Sequence, residues 1–227
     1  MKILINYAAG KYIKSQKTNT SSGKWRGFDK ACQLGPEHIG KKFADKYREI
    51  LSQKKGAGYW LWKPYLILRV LKTAEPGDIV MYSDSGATFL RDVNPLLSLA
   101  DAQPIVLFDQ PKFLNVQWTK KDTFQMMKCT GDEYLHGKHW NGAFQIYRVC
   151  RESIDFVREY LGWCANKYTL TDIPSIMGPE HELYQAHRHD QSVLSLLAIK
   201  YGIKPNVDPS QYGNLNDPYI DHHRNQE

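Results

Sequence analysis

The chain has no Cys-x-x-Cys pair, no run of five basic residues and no unbroken apolar stretch of membrane-spanning length. Each absence removes a class of function. The four cysteines, Cys32, Cys129, Cys150 and Cys164, stand far apart, which excludes a thioredoxin-type redox motif and zinc-ribbon spacing. They read as reduced, packed thiols of an intracellular protein. The basic residues cluster only in pairs such as Lys41-Lys42, Lys54-Lys55 and Lys120-Lys121. A net charge of +6 spread that thinly argues against nucleic acid and for a phosphorylated small ligand or an anionic membrane face. A membrane helix needs roughly 18–20 consecutive apolar residues, and the apolar run in MKILINYAAG is too short even for a secretory signal. The expectation is therefore a cytoplasmic chain with no transmembrane segment, its partners free in solution or held at a membrane surface. With 227 residues and ordinary apolar content of 42%, there is room for one α/β domain over 1–227 and not comfortably for two.

What is present is an alternation of buried-strand and helix patterns. Ile3-Leu4-Ile5-Asn6-Tyr7 reads as a first strand with a small-residue exit at Ala8-Ala9-Gly10. Residues 14–36 are polar and read as a surface loop. From Gly35 a helix is expected, with Phe43, Tyr47, Ile50 and Leu51 at helical spacing. The stretch 56–89 organises the rest. Tyr59-Trp60-Leu61-Trp62-Lys63 crowds aromatics around a cation. Pro64 suits a first helical turn, and Leu66, Ile67, Val70 and Leu71 form one apolar face. Glu75-Pro76-Gly77 is a turn, and Ile79-Val80-Met81-Tyr82 a buried strand running into Ser83-Asp84-Ser85-Gly86. A short helix over 93–99, a strand over 104–109, a helix capped by Ser153 and a nearly all-apolar helix from Asp190 follow. This order predicts an α/β three-layer sandwich with a mostly parallel central sheet flanked by helices.

The polar residues at strand ends and helix mouths are the candidates for chemistry. Asp84, just past the carboxyl end of a buried strand, can hold Mg2+ or Mn2+ while a diphosphate supplies further oxygens, or can simply start a turn. Asp109 ends its strand in the same way. Tyr7 can stack on a base or belong to the core. Thr119 or Asp122 caps a helix, and Lys120 or Lys121 can reach a phosphate. No helical pattern puts His136 and His139 on one face, which argues against a metal there. Asn141-Gly142 offers a tight turn before a strand. In His187-Arg188-His189-Asp190-Gln191-Ser192, four polar groups open a buried helix, where leaving them unpaired would cost several kcal/mol. They must pair, cap or bind ligand. Asp190 can cap that helix or face a ligand, and Arg188 is a better phosphate clamp than His187.

GYWLWKPYLIL followed by GDIVMYSDSG resembles a group of small GT-A-type glycosyltransferases. The likeness continues through WNGAF, HRHDQS and the DHHR of the tail, with WLWKPY and HRHDQS its most specific parts. It implies a GT-A-like fold and a hexosyl- or pentosyltransferase of polysaccharide biosynthesis. Such an enzyme moves a sugar from a nucleotide-sugar, UDP-linked in the first instance, to a glycan or glycoconjugate acceptor. In that resemblance SDSG takes the place of the metal-binding DxD motif, but only Asp84 is acidic. Asp190 would act at the anomeric carbon, as general base or as a stabilising charge. Tyr7, Ala8, Lys63, Ser83, Asp84 and Arg188 would hold the nucleotide diphosphate. Trp60, Trp62, Asn141, Gly142, His187 and Gln191 would contact the sugars. Mn2+ or Mg2+ would sit on Asp84 with His222 or His223, since glycogenin-like enzymes commonly add a C-terminal histidine. Two other readings stand beside this one: a sugar nucleotidyltransferase, of which Ala8-Ala9-Gly10-Lys11 is a faint echo, and a non-catalytic carbohydrate-binding domain.

Overall fold

The computed structural model describes residues 1–223, the Pro111 side chain apart, so Arg224 of the tail motif lies outside the described residues. Five strands form the central sheet: β1 (Lys2–Tyr7), β2 (Lys30–Leu34), β3 (Ile79–Ser83), β5 (Ile105–Leu114) and β6 (Lys138–Arg148). Their order is β2-β1-β3-β6-β5. β1 pairs in parallel with β2 and β3, while β6 runs antiparallel to both β3 and β5. Four strands thus point one way and β6 alone is reversed. A second small sheet joins β4 (Thr88–Phe89) to β7 (Ile220–Asp221) near the tail.

Four longer helices cover the sheet: α1 (Ile13–Lys24), α2 (Trp62–Leu71), α3 (Arg151–Cys164) and α4 (Asp190–Lys200). β1, β3 and β6 are buried on both faces and feed two cores in alternation. Ile3, Ile5 and Tyr7 of β1 and Val80 and Tyr82 of β3 pack with α2, α3 and α4. Leu4 and Met81 pack instead with Phe28, Phe89, Leu97 and Ile220. In α2 the buried apolar residues include Leu66, Ile67, Leu68 and Leu71, close to the face that the spacing predicts.

Several local expectations are corrected. Residues 13–24 form a helix rather than a loop, because α1 buries Gln16, Asn19, Thr20 and Gly23 instead of an apolar stripe. Asn19 is the hub of that face. It accepts a hydrogen bond from Asn6 Nδ2 at 2.7 Å and donates to the Ala87 carbonyl at 2.8 Å. Gly23 lets Leu4 and Phe28 approach, since a Cβ there would stand 2.4 Å from Leu4 Cδ2. The expected helix after Gly35 is broken into a 3-10 turn (Pro36–His38) and two short helices (Lys41–Lys46 and Arg48–Leu51). Asn141 makes no turn, because β6 continues through it. Ser153 sits one turn inside α3, where it accepts the amide of the capping Cys150. Asp122 is fully buried and accepts the amides of Ile176 and Met177, so it anchors the 171–186 connection rather than capping its own helix.

Candidate functional site

A cleft of about 840 Å³ opens where β1 and β3 end, at the strand carboxyl ends where ligands of α/β sheets collect. Its floor is an ionic cluster built from three elements. Lys63, in the first turn of α2, is only 3% exposed. Its ammonium lies 2.9 Å from Asp190 Oδ2 and 3.6 Å from Asp84 Oδ1, and donates to the Gly142 carbonyl at 3.1 Å. Asp190 opens α4 and accepts the Tyr160 hydroxyl at 3.1 Å. Asp84 follows β3 and accepts the Tyr82 hydroxyl at 2.6 Å, while its amide bonds Ala143 of β6. One ammonium thus serves two carboxylates. Burial works against the charge of Lys63, but Asp190 and Asp84 outweigh it and raise its pKa. Burial raises the Asp190 pKa, with Asp84 adding to the rise and Lys63 opposing it.

β6 and the start of α4 pass closely at Gly142, where a Cβ would stand 3.2 Å from Gln191 Cβ and 3.7 Å from Asp190 Oδ2. His189 precedes α4 with φ 56°, and Asp190 is the first helical residue, which overturns its reading as an N-cap.

The structure brings most of the expected residues to the cleft, but not always with the expected freedom. Tyr7, Ala8, Trp60, Trp62, Lys63, Asp84, Asn141, Gly142, His187, Arg188, Asp190, Gln191 and His222 all line it. Tyr7 stacks on Trp62 with centroids 3.8 Å apart, and burial, with Glu37 adding, lifts its hydroxyl pKa to about 12. The Trp62 indole donates to the Gly56 carbonyl at 2.9 Å. These two rings form a wall fixed by packing. Lys63 spends its donors on Asp190, Asp84 and Gly142, which makes it the counter-ion of both carboxylates.

The HRHD segment alternates between scaffold and cleft. His187 donates through Nε2 to the Thr169 carbonyl and accepts the Lys120 amide at Nδ1. His189 bonds the Leu170 carbonyl through Nδ1. Both are struts, and burial lowers their pKa values, His187 well below the usual range and His189 to about 4. Arg188 lies over Trp118 at 4.3 Å, at the cleft wall. Asn141 donates to Asp208 Oδ2 at 2.6 Å and accepts the Ala143 amide at 2.7 Å. Asp208 in turn holds Ser210, a link to the tail that the sequence reading missed because only the partner in space gives it meaning. Gln191 donates to Gln110 at 2.9 Å.

Ser83 is the exception among the donor-site candidates. It is fully buried outside the cleft and receives Asn19 Nδ2 at 3.1 Å, so it braces the loop that carries Asp84. Of the two tail histidines, His222 lines the cleft, whereas His223 lies 3.3 Å from Thr88 Oγ1 in the small second sheet. Asp109 pairs with Lys138 away from the cleft. His136 pairs with Asp132, and His139 with Asn115. The sequence reading also missed the basic rim, where Lys11, Lys54 and Lys55 join Arg188.

No family model and no curated protein sequence matches the chain. Solved structures do. One of them, mouse xyloside xylosyltransferase 1 in its apo form, superposes with a TM-score of 0.52 over 98% of this chain and 97% of its own. Only 11% of residues are identical. The fold is therefore similar to that of a glycosyltransferase, with a central sheet between helical layers. Among the described residues no helix is long and apolar enough to cross a membrane.

Proposed function

We propose that the chain transfers a hexose or pentose from a nucleoside-diphosphate donor, UDP-linked in the first instance, to a hydroxyl of a glycan or glycoconjugate. The observation that carries this reading is the Lys63 ammonium buried between Asp84 and Asp190 on the floor of the strand-end cleft. A sugar leaving its diphosphate develops positive charge at the anomeric carbon, and fixed negative charge in a low-dielectric site stabilises it. Asp190 is anchored by Lys63 and Tyr160, which suits a fixed charge better than a proton carrier. Arg188, Lys11, Lys54 and Lys55 would face the diphosphate at the rim, and Gln191 would orient hydroxyls.

The donor set of the cleft suits a divalent cation held mainly by the donor. Among the described residues no three His, Cys, Asp or Glu side chains come together as a metal cage. Asp84 and His222 nonetheless line one cleft, and Mg2+ commonly takes one or two protein ligands while substrate phosphates supply the rest. A cation on Asp84 and His222 would supply neutralisation of the departing diphosphate.

The test is thermal shift with UDP, GDP and their glucose conjugates, with and without Mn2+, followed by chromatography for released nucleotide. A nucleotide-dependent rise in Tm that Asp84→Ala abolishes, with slow donor hydrolysis that Asp190→Asn abolishes, is expected. No response to any nucleotide would overturn the reading in favour of a non-catalytic carbohydrate-binding domain.

A further inference from the structure

We propose that the outer face of α1 and its flanks is a docking surface for an anionic lipid bilayer. Residues 10–30 hold six basic side chains, Lys11, Lys14, Lys17, Lys24, Arg26 and Lys30, against Asp29 alone. That surplus of five nearly accounts for the net +6 of the whole chain. All six are exposed. On α1 itself the exposed positions are 13, 14, 17, 18, 21 and 24, with Trp25 just after, which is one continuous face at helical period. The helix carries no acidic residue, and its opposite face is buried through Gln16, Asn19, Thr20 and Gly23. The lysines are therefore presented together on one side.

The same face carries apolar groups that the fold leaves in water. At the C-terminal end of α1 Trp25 is 83% exposed, and at its N-terminal end Ile13 is 47% exposed with Tyr12 next to it in the chain. Lysines around an exposed tryptophan and isoleucine suit the interface of a bilayer, where headgroup phosphates meet the ammonium groups and the rings and alkyl chains settle at the acyl boundary. A nucleic acid would satisfy the lysines but offers the Ile13 side chain nothing. Lys11 and Tyr12 also line the cleft, so the docked face adjoins its mouth. The acceptor would then be a glycan carried on a lipid; that consequence rests on the transferase reading, while the docking itself does not.

The test is co-sedimentation of the full chain with phosphatidylcholine vesicles, with and without phosphatidylglycerol. No donor is present, so the result is separate from that of the nucleotide assay. Binding is expected only to the anionic vesicles and should weaken with salt as the charges are screened. Each lysine near such a surface strengthens partitioning roughly five-fold, so replacing Lys14, Lys17 and Lys24 together with Gln should weaken it about a hundred-fold. Trp25→Ala should weaken it while leaving the salt dependence unchanged. These side chains are exposed, so circular dichroism and Tm should match the unaltered chain. Failure to bind anionic vesicles, equal binding to neutral ones, or lysine-dependent binding of RNA or DNA that vesicles do not displace would each overturn the proposal.

Discussion

Removing the Lys63 ammonium should be among the most damaging single changes available to this fold. Lys63 and Asp190 are each 3% exposed, and Lys63→Met would leave Asp190 and Asp84 facing each other without their shared cation. Breaking a buried ion pair from one side typically costs about 3–5 kcal/mol, because the surviving charge stays buried. Asp190→Asn should be milder, about 1–3 kcal/mol, since Lys63 keeps Asp84 and the Gly142 carbonyl and Tyr160 can still donate to the amide oxygen. The double variant removes both charges of the close pair, so it should be more stable than additivity predicts, by about 1–3 kcal/mol.

Urea unfolding of the four proteins, followed by tryptophan fluorescence, measures this coupling. pH supplies an independent check. Burial and Asp84 raise the Asp190 pKa above its unfolded value, so folding favours the protonated form, and the penalty of the ionised form appears as pH rises through the folded pKa. The deficit of Lys63→Met should therefore be smaller at pH 5 than at pH 8. Additive variants within about 0.5 kcal/mol, with a deficit equal at both pH values, would refute the reasoning.

Asp84→Asn should remove the Mn2+-dependent part of any nucleotide stabilisation, the whole of which is about 2.7 kcal/mol at a hundred-fold excess over Kd, as read by thermal shift. His139, His187 and His189 are buried neutral, with pKa values lowered to about 3 for His139, to about 4 for His189 and well below the usual range for His187. Their stabilisation is complete above the unfolded value near 6.5 and drains away as pH falls toward the folded values, with a slope up to about 1.4 kcal/mol per pH unit for each; urea midpoints flat between pH 7 and 5 would contradict this. Gly58→Ala should cost about 1–3 kcal/mol, because its φ is +96° and the new Cβ would meet Leu51 Cα at 2.7 Å; a lower urea midpoint measures it.

What the sequence made legible was set by hydrophobic period. The strands at 3–7 and 79–83 and the helix from Trp62 show themselves because their buried side chains are apolar. α1 stayed hidden because its buried face is Gln16, Asn19, Thr20 and Gly23, which no hydrophobic pattern registers. The interruption between Lys46 and Arg48 was equally invisible, since the spacing of Phe43, Tyr47, Ile50 and Leu51 fits an unbroken helix as well. In the cleft, Asp84, Arg188 and Asp190 were recognisable as polar groups beside buried elements. Their partners were not: the 2.9 Å pairing of Lys63 with Asp190 spans 127 positions of sequence, and the bond of Asn141 to Asp208 spans 67. Ser83 lies outside the cleft for the opposite reason: it neighbours Asp84 in sequence while spending its own side chain on the scaffold. His187 lines the cleft while both of its ring nitrogens bond the scaffold.

That division between scaffold and cleft has a physical counterpart in where strain resides. Gly56, Ala57, Gly58, Tyr59 and Trp60 all have positive φ, a left-handed turn closed by Tyr59 N–H to the Lys55 carbonyl at 2.8 Å and Trp60 N–H to the Gly56 carbonyl at 3.2 Å. For Ala57, Tyr59 and Trp60 such backbone costs about 1–2 kcal/mol each. His189 shares the same sign of φ, and the two segments touch, with its ring 4.9 Å from that of Tyr59 and 5.5 Å from that of Trp60. The strained residues thus meet at one wall of the cleft. An ordinary right-handed turn at 56–60 would relieve the backbone but would move Trp60, Lys54 and Lys55 from the rim and release the Trp62 indole from Gly56. Strain persists only where surrounding contacts over-determine it. Here those contacts hold in place residues that line the cleft.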